Sequence, residues 1–143
     1  MYDVKSVAKY VISYCREQEY VMSNLKLQKV LYFVQAAFLS TRHYPCFEED
    51  FEAWDFGPVV PEIYHEYKIF GSSNIIADND ISRSMFSAED REIIDDMVDI
   101  CSGYSASELV SITHSQSPWK DAYRRYSNNI ISKDAIEEFF SDK

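Results

Sequence analysis

Three histidines and three cysteines are the side chains with which this 143-residue chain could do metal or nucleophilic chemistry. His43-x-x-Cys46 has a spacing found in metal sites, and His65, His114, Cys15 and Cys101 could complete a four-ligand set. A structural zinc site is normally built from two closely spaced pairs, whereas this chain has one imperfect pair. A loop histidine beside a half-buried thiol is the better reading. Cys46 with a neighbouring imidazole could also form a nucleophilic pair, since a nearby cation holds a thiolate. Nothing in the sequence places a third orienting group or an oxyanion hole. Glu48, Glu49, Asp50 and Glu52 form a carboxylate run, but it lacks the glycine and the regular ligand spacing of a calcium loop. A solvated acidic turn is expected there, with no catalytic residue, metal or cofactor.

The aromatic residues carry more weight. Trp54, Phe56, Tyr64 and Tyr67 follow the acidic turn closely, and aromatic rings dominate both cores and interface hot spots. Sequence leaves both roles open. The chain has 11 tyrosines, whose rings offer contact area at low entropic cost while the hydroxyl stays wet. In Thr113-His114-Ser115-Gln116-Ser117-Pro118-Trp119, the favoured role of His114 is a hydrogen bond to a helix end beside a core tryptophan, with partner contact as the alternative.

The elements that must position these residues follow from periodicity. Val4, Val7, Ala8, Val11, Ile12 and Cys15 predict an amphipathic helix over about 4–18, capped by Asp3. Leu25 to Leu39 is apolar almost all round, which predicts a buried central helix capped by Ser23 or Asn24. Phe51 to Phe56 suits a short strand stopped by Gly57-Pro58, and Pro61 opens a helix that Gly71 closes. Residues 72–87 are weakly patterned. Asn74, Asp78, Asn79 and Asp80 favour turns, and the pairs Ile75-Ile76 and Met85-Phe86 either form a second ribbon over 74–86 or pin a loop. Capping boxes at Ser87 and Ser105 predict helices from about Ala88 to Ser102 and again after Ser105. Ser117-Pro118 should start a turn or two reaching about Arg125, with Trp119 facing in, and Ser132 should cap a last helix.

LKLQKVLYFVQAAFL (25–39), FEAWDFGPVVPEIYHEYKIFG (51–71) and THSQSPW (113–119), in that order, resemble the bacterial and phage-borne Panacea antitoxin domain family. The positions that carry the resemblance are Leu27, Gln28, Lys29, Tyr32, Trp54, Gly57, Pro58, Val59, Pro61, Tyr64, Thr113, His114, Pro118 and Trp119, all read as structural. The resemblance implies a small, mainly helical domain without enzymatic activity that neutralises a toxin, often by direct binding. It also implies, for some members, delivery of the toxin to a bacterial protease complex.

A formal net charge of -10 repels phosphates on average, so nucleic acid is not an expected partner; the longest basic cluster is Arg124-Arg125 with Lys120 nearby. An acidic surface suits a basic partner or simple solubility. The odd, widely spaced cysteines read as reduced thiols, the opening MYDVKSVAKY has no signal-peptide core, and no apolar run approaches bilayer length. A cytoplasmic protein is expected. The fold expected is a single mainly α domain over 1–143, with about six helices and a short β-ribbon insertion. The function expected is an antitoxin that binds a cognate toxin through Glu48, Glu49, Asp50, Trp54, Asp55 and Tyr64. The competing readings are a phage-associated regulatory or interaction protein without a toxin, and a small Cys/His hydrolase.

Overall fold

Helix α2 (Asn24–Arg42) lies at the centre because it offers buried surface on nearly every side: 12 of its 19 residues are buried. In the computed structural model, which describes residues 1–76, 81 and 83–141, it packs against α1 (Val4–Gln18), α3 (Pro61–Tyr67), α4 (Ala88–Ser102), α5 (Ala106–His114) and α7 (Lys133–Ser141). The remaining helix, α6 (Ser117–Ala122), joins α5 to the region before α7. The described residues therefore hold seven α-helices where about six were expected. The fold is mainly helical, with one small antiparallel sheet.

The helix starts follow the local chemistry. Asp3 accepts from the Lys5 amide at 3.1 Å, Ser23 from Lys26 at 3.2 Å, and Ser132 from Ala135 at 3.1 Å. Ser105 and Glu108 form a complete capping box. Each such cap contributes about 1 kcal/mol. Ser87 forms only half a box: its hydroxyl accepts from the Asp90 amide at 3.1 Å, but the Asp90 carboxylate accepts from the Tyr2 hydroxyl and the Arg42 guanidinium instead. That carboxylate ties the start of α4 to the chain's N-terminal segment and to the end of α2.

The sheet differs from the expected single strand over 51–56. Strand β1 (Phe51–Trp54) turns at Asp55-Phe56 and returns as β2 (Gly57–Val59), with Trp54 opposite Gly57 and Ala53 opposite Pro58. Gly57-Pro58 thus begins a strand rather than stopping one. Gly57 has φ +96°, which suits the tight return, and Pro58 is tolerated because β2 is an edge strand. The other edge is β3 (Ile130–Ile131), a pairing with β1 that the sequence reading lacked. Strand order is β2-β1-β3.

Two other boundaries moved. Ser117 is the first residue of α6, not its cap; Gln116 holds the cap position without a side-chain bond. Its Oε1 instead accepts from the Tyr32 hydroxyl at 2.9 Å. The helix ends at Ala122, short of Arg125, because Tyr123 turns extended. Between α3 and α4, residues 74–76 and 83–86 form no strand; Arg83–Met85 is a 3-10 turn. Buried Ile75 and Phe86 pin the segment, the first through its amide to the Met22 carbonyl at 2.8 Å, the second against the Tyr2 and Tyr10 rings. Asp78, Asn79 and Asp80 lie outside the described residues.

Candidate interaction surface

Three stretches far apart in sequence meet at the β1–β2 turn. From α2, the fully buried Gln28 donates to Asn24 Oδ1 at 3.0 Å and accepts from the Val60 amide at 3.0 Å, while Lys29 Nζ donates to the Pro58 carbonyl at 3.0 Å. Asn24 in turn donates to the Tyr64 carbonyl at 2.9 Å, so one face of α2 holds both β2 and α3. From α5, the Thr113 hydroxyl lies against Gly57. A Cβ at Gly57 would sit 2.7 Å from Thr113 Oγ1 and 2.8 Å from Lys29 Cε. Burial lowers the pKa of the Lys29 ammonium to about 7.

The outer side of the turn is held by a stack of rings. His114 lies on Trp119 with centroids 3.9 Å apart, and Trp119 lies on Tyr123 at 4.5 Å. His114 Nε2 is 2.9 Å from the Asp55 carbonyl; since a carbonyl only accepts, this nitrogen carries the proton. Trp119 Nε1 donates to the Trp54 carbonyl at 2.8 Å, and the Tyr123 hydroxyl donates to the Asp55 carboxylate. Half-buried Trp119 thus faces the turn, and His114 bonds a hairpin rather than a helix end. Replacing Trp119 with Phe keeps the stack but leaves the Trp54 carbonyl without its donor. A loss of about 1–2 kcal/mol in thermal unfolding is expected; an unchanged midpoint would show that this bond carries nothing.

Other motif positions also pack within the fold. Leu27, Tyr32 and Val59 are buried, Pro61 opens α3, and Pro118 is buried in the first turn of α6. The structure brings only part of the expected binding patch together. Trp54 meets Tyr64 edge to face at 5.0 Å, its indole N–H donates to Glu52 Oε1 at 2.9 Å, and Asp55 is exposed beside it. Glu48, Glu49 and Asp50 lie at the opposite end of β1, about 13 Å away at the rise of a strand. There Lys133 Nζ binds the Glu48 carbonyl at 2.6 Å and the Asp50 carboxylate at 2.8 Å, which fastens that turn to α7.

Phe56, left out of the expected patch, is the residue the hairpin projects. It is 52% exposed and forms a wall of two grooves. One, of about 290 Å3, runs past Trp54, Asp55, Tyr123, Arg125 and Tyr126. The other, of about 180 Å3, is walled by Leu25, Tyr64 and Lys68. The sequence signal for Phe56 was its place at the tip of a two-residue turn, visible once Gly57 is read as part of the return strand.

The residues with reactive chemistry are dispersed. His43 pairs with Glu137 at 2.9 Å, whereas Cys46 is buried with its amide donating to Gln35 Oε1 at 2.7 Å. Burial pushes the Cys15 and Cys101 thiols up to about 12 and raises that of Cys46 as well, so none supplies a thiolate at neutral pH. Among the described residues, no group of three or more His, Cys, Asp or Glu side chains is arranged to hold a metal ion, and no helix is long and apolar enough to cross a membrane.

Residues 27–120 match the family described as antitoxin SocA-like, Panacea domain. The antitoxin SocA of Caulobacter vibrioides (strain NA1000 / CB15N) is 33% identical over 129 residues, covering 82% of this chain and 68% of that protein. No solved structure gives a significant match. The matched region takes in most of α2, the hairpin, α5 and the first turn of α6, and the chain belongs to the antitoxin SocA-like, Panacea domain family.

Proposed function

We propose that this chain acts as an antitoxin that neutralises a partner toxin by direct protein binding, as a single domain, in the cytoplasm and without catalysis of its own. Membership in an antitoxin family supports the general role. The observation that carries the binding mechanism is the aromatic group of Trp54 and Phe56, on a hairpin that both α2 and α5–α6 clamp, with Tyr64 beside them on α3. A rigid aromatic anchor loses little entropy when a partner covers it, which is how hot spots work. The toxin supplies the complementary cationic surface, because no Lys or Arg stands between Arg42 and Lys68 while carboxylates recur throughout that stretch.

Co-expression with the protein encoded by the adjacent gene tests this. Growth arrest by the neighbour alone, rescue by this chain and a stable complex on pull-down are expected. Rescue accompanied by falling toxin levels would instead favour an adaptor that passes the toxin to a bacterial protease complex. No toxicity and no complex would remove the reading. Within the patch, Trp54→Ala and Tyr64→Ala should weaken the complex by about 10-fold or more, as loss of hot-spot anchors does. Glu48→Ala, Glu49→Ala and Asp50→Ala should mainly slow association and reduce its salt dependence, as rim charges do. Equal binding by all five variants would place the interface elsewhere.

A further inference from the structure

We propose that the groove between Phe56, Leu25 and Tyr64 receives an aliphatic side chain of a protein partner flanked by arginine, with Phe56 as the wedge against which that segment packs. The inference rests on the antitoxin reading for the partner's identity, but its chemistry stands on the groove itself. Phe56 projects from a two-residue turn and is 52% exposed, although the backbone that carries it is fixed from both sides. The groove beside it, about 180 Å3, has an apolar wall of Leu25, Phe56 and Tyr64, and its floor is held by the Asn24 bond to the Tyr64 carbonyl. That volume suits one branched aliphatic side chain.

Charge sets what surrounds the anchor. Beyond Tyr64 the surface continues to Trp54, whose indole N–H is bound by Glu52, and Asp55 is exposed next to Phe56. Glu62 and Glu66 are exposed on α3, and among the described residues Lys68, next to Gly71, is the only cation that lines this groove. Rings next to carboxylates favour a guanidinium, which can lie on an aromatic face while it pairs with an acid. Lys68 gives the groove a direction: the partner's arginine lies toward the hairpin, and a carbonyl or carboxylate of the same segment lies toward Lys68.

Titration of the 15N-labelled full chain with two short synthetic peptides decides it, one alternating leucine with arginine and its twin alternating leucine with glutamate. The leucine–arginine peptide should shift the Trp54 indole and the Leu25 and Phe56 amides, and should bind about 10-fold more tightly than its twin. Phe56→Ala and Leu25→Glu should each weaken it by about 10-fold, and Tyr126→Ala, which lines only the other groove, by less than about twofold. Equal binding of the twin would overturn the proposal, as would shifts concentrated away from the hairpin, Leu25 and α3, or indifference to Phe56→Ala, an exposed change that spares the fold. The adjacent-gene product separates the two readings. A toxin neutralised equally well by Phe56→Ala removes this surface and leaves the antitoxin, whereas a harmless neighbour with the peptide result intact removes the antitoxin and leaves the surface.

Discussion

Gly57→Ala is expected to destabilise the protein by roughly 3 kcal/mol, more than any other single methyl addition in the hairpin. Two costs combine. The backbone sits at φ +96°, where an L side chain is strained by about 1–3 kcal/mol. The added Cβ would also stand 2.7 Å from Thr113 Oγ1 and 2.8 Å from Lys29 Cε. Neither neighbour is free to retreat: Thr113 is fully buried with its hydroxyl donating to the Val110 carbonyl at 2.9 Å, and Lys29 is fully buried with its ammonium on the Pro58 carbonyl. Overpacking of this kind costs about 1–3 kcal/mol. Gly71→Ala is the natural comparison, since φ is +56° there but nothing lies within 4 Å of an added Cβ, so only the backbone term applies. Urea denaturation of both variants, read at constant m, should show the larger loss at Gly57. Equal losses would mean that the three stretches do not close on this residue as tightly as the distances indicate.

Which parts of this arrangement the sequence could show depends on the range of the forces involved. Helix ends were legible because a cap is a local event. Asp3, Ser23, Ser105 and Ser132 each bond an amide two or three residues away, and the limits of α1 and α4 agree with the periodicity. The burial of α2 was legible in its apolar surround, yet what is buried with it was not. Lys29 reads as a wet residue by type and is fully buried, because its partner is a backbone carbonyl 29 residues away that no side-chain pattern reveals. A trace existed: Asn24, Gln28 and Gln35 recur at helical spacing inside a mostly apolar helix, and all three bind the backbone of other segments through their amides. Strand β3 was beyond reach, since two residues, Ile130 and Ile131, owe their conformation to Phe51 and Glu52 across the sheet. The expected patch divided for the same reason. Residue type and loop position grouped Glu48 to Asp50 with Trp54, but Lys133 captures the first set at the far end of the strand.

Stability should rise with pH between about 7 and 9, and Lys29 is the cause. Burial lowers its pKa from the usual 10.5 to about 7. Below pH 7 the ammonium is protonated in both folded and unfolded chains, so its burial cost is fully present and constant with pH. Above pH 7 the folded chain releases the proton while the unfolded chain keeps it. The unfolded state then binds more protons, and stability climbs by up to about 1.4 kcal/mol per pH unit, roughly 2–3 kcal/mol over the window. The rise cannot continue. Cys15, Cys46 and Cys101 have their thiol pKa values raised above the usual 9.0 by burial, and buried Tyr32 is likewise raised above 10.0. Beyond those ordinary values the unfolded chain ionises first, the folded chain binds more protons, and stability falls. A maximum close to pH 9 is therefore expected in urea midpoints measured across the range. Lys29→Met, which fills a similar volume without a titrating group, should flatten the slope between pH 7 and 9 while leaving the alkaline decline in place. A flat wild-type profile over that window would mean that water or a counter-charge reaches the ammonium, and that the clamp beneath the hairpin is wetter than its geometry indicates.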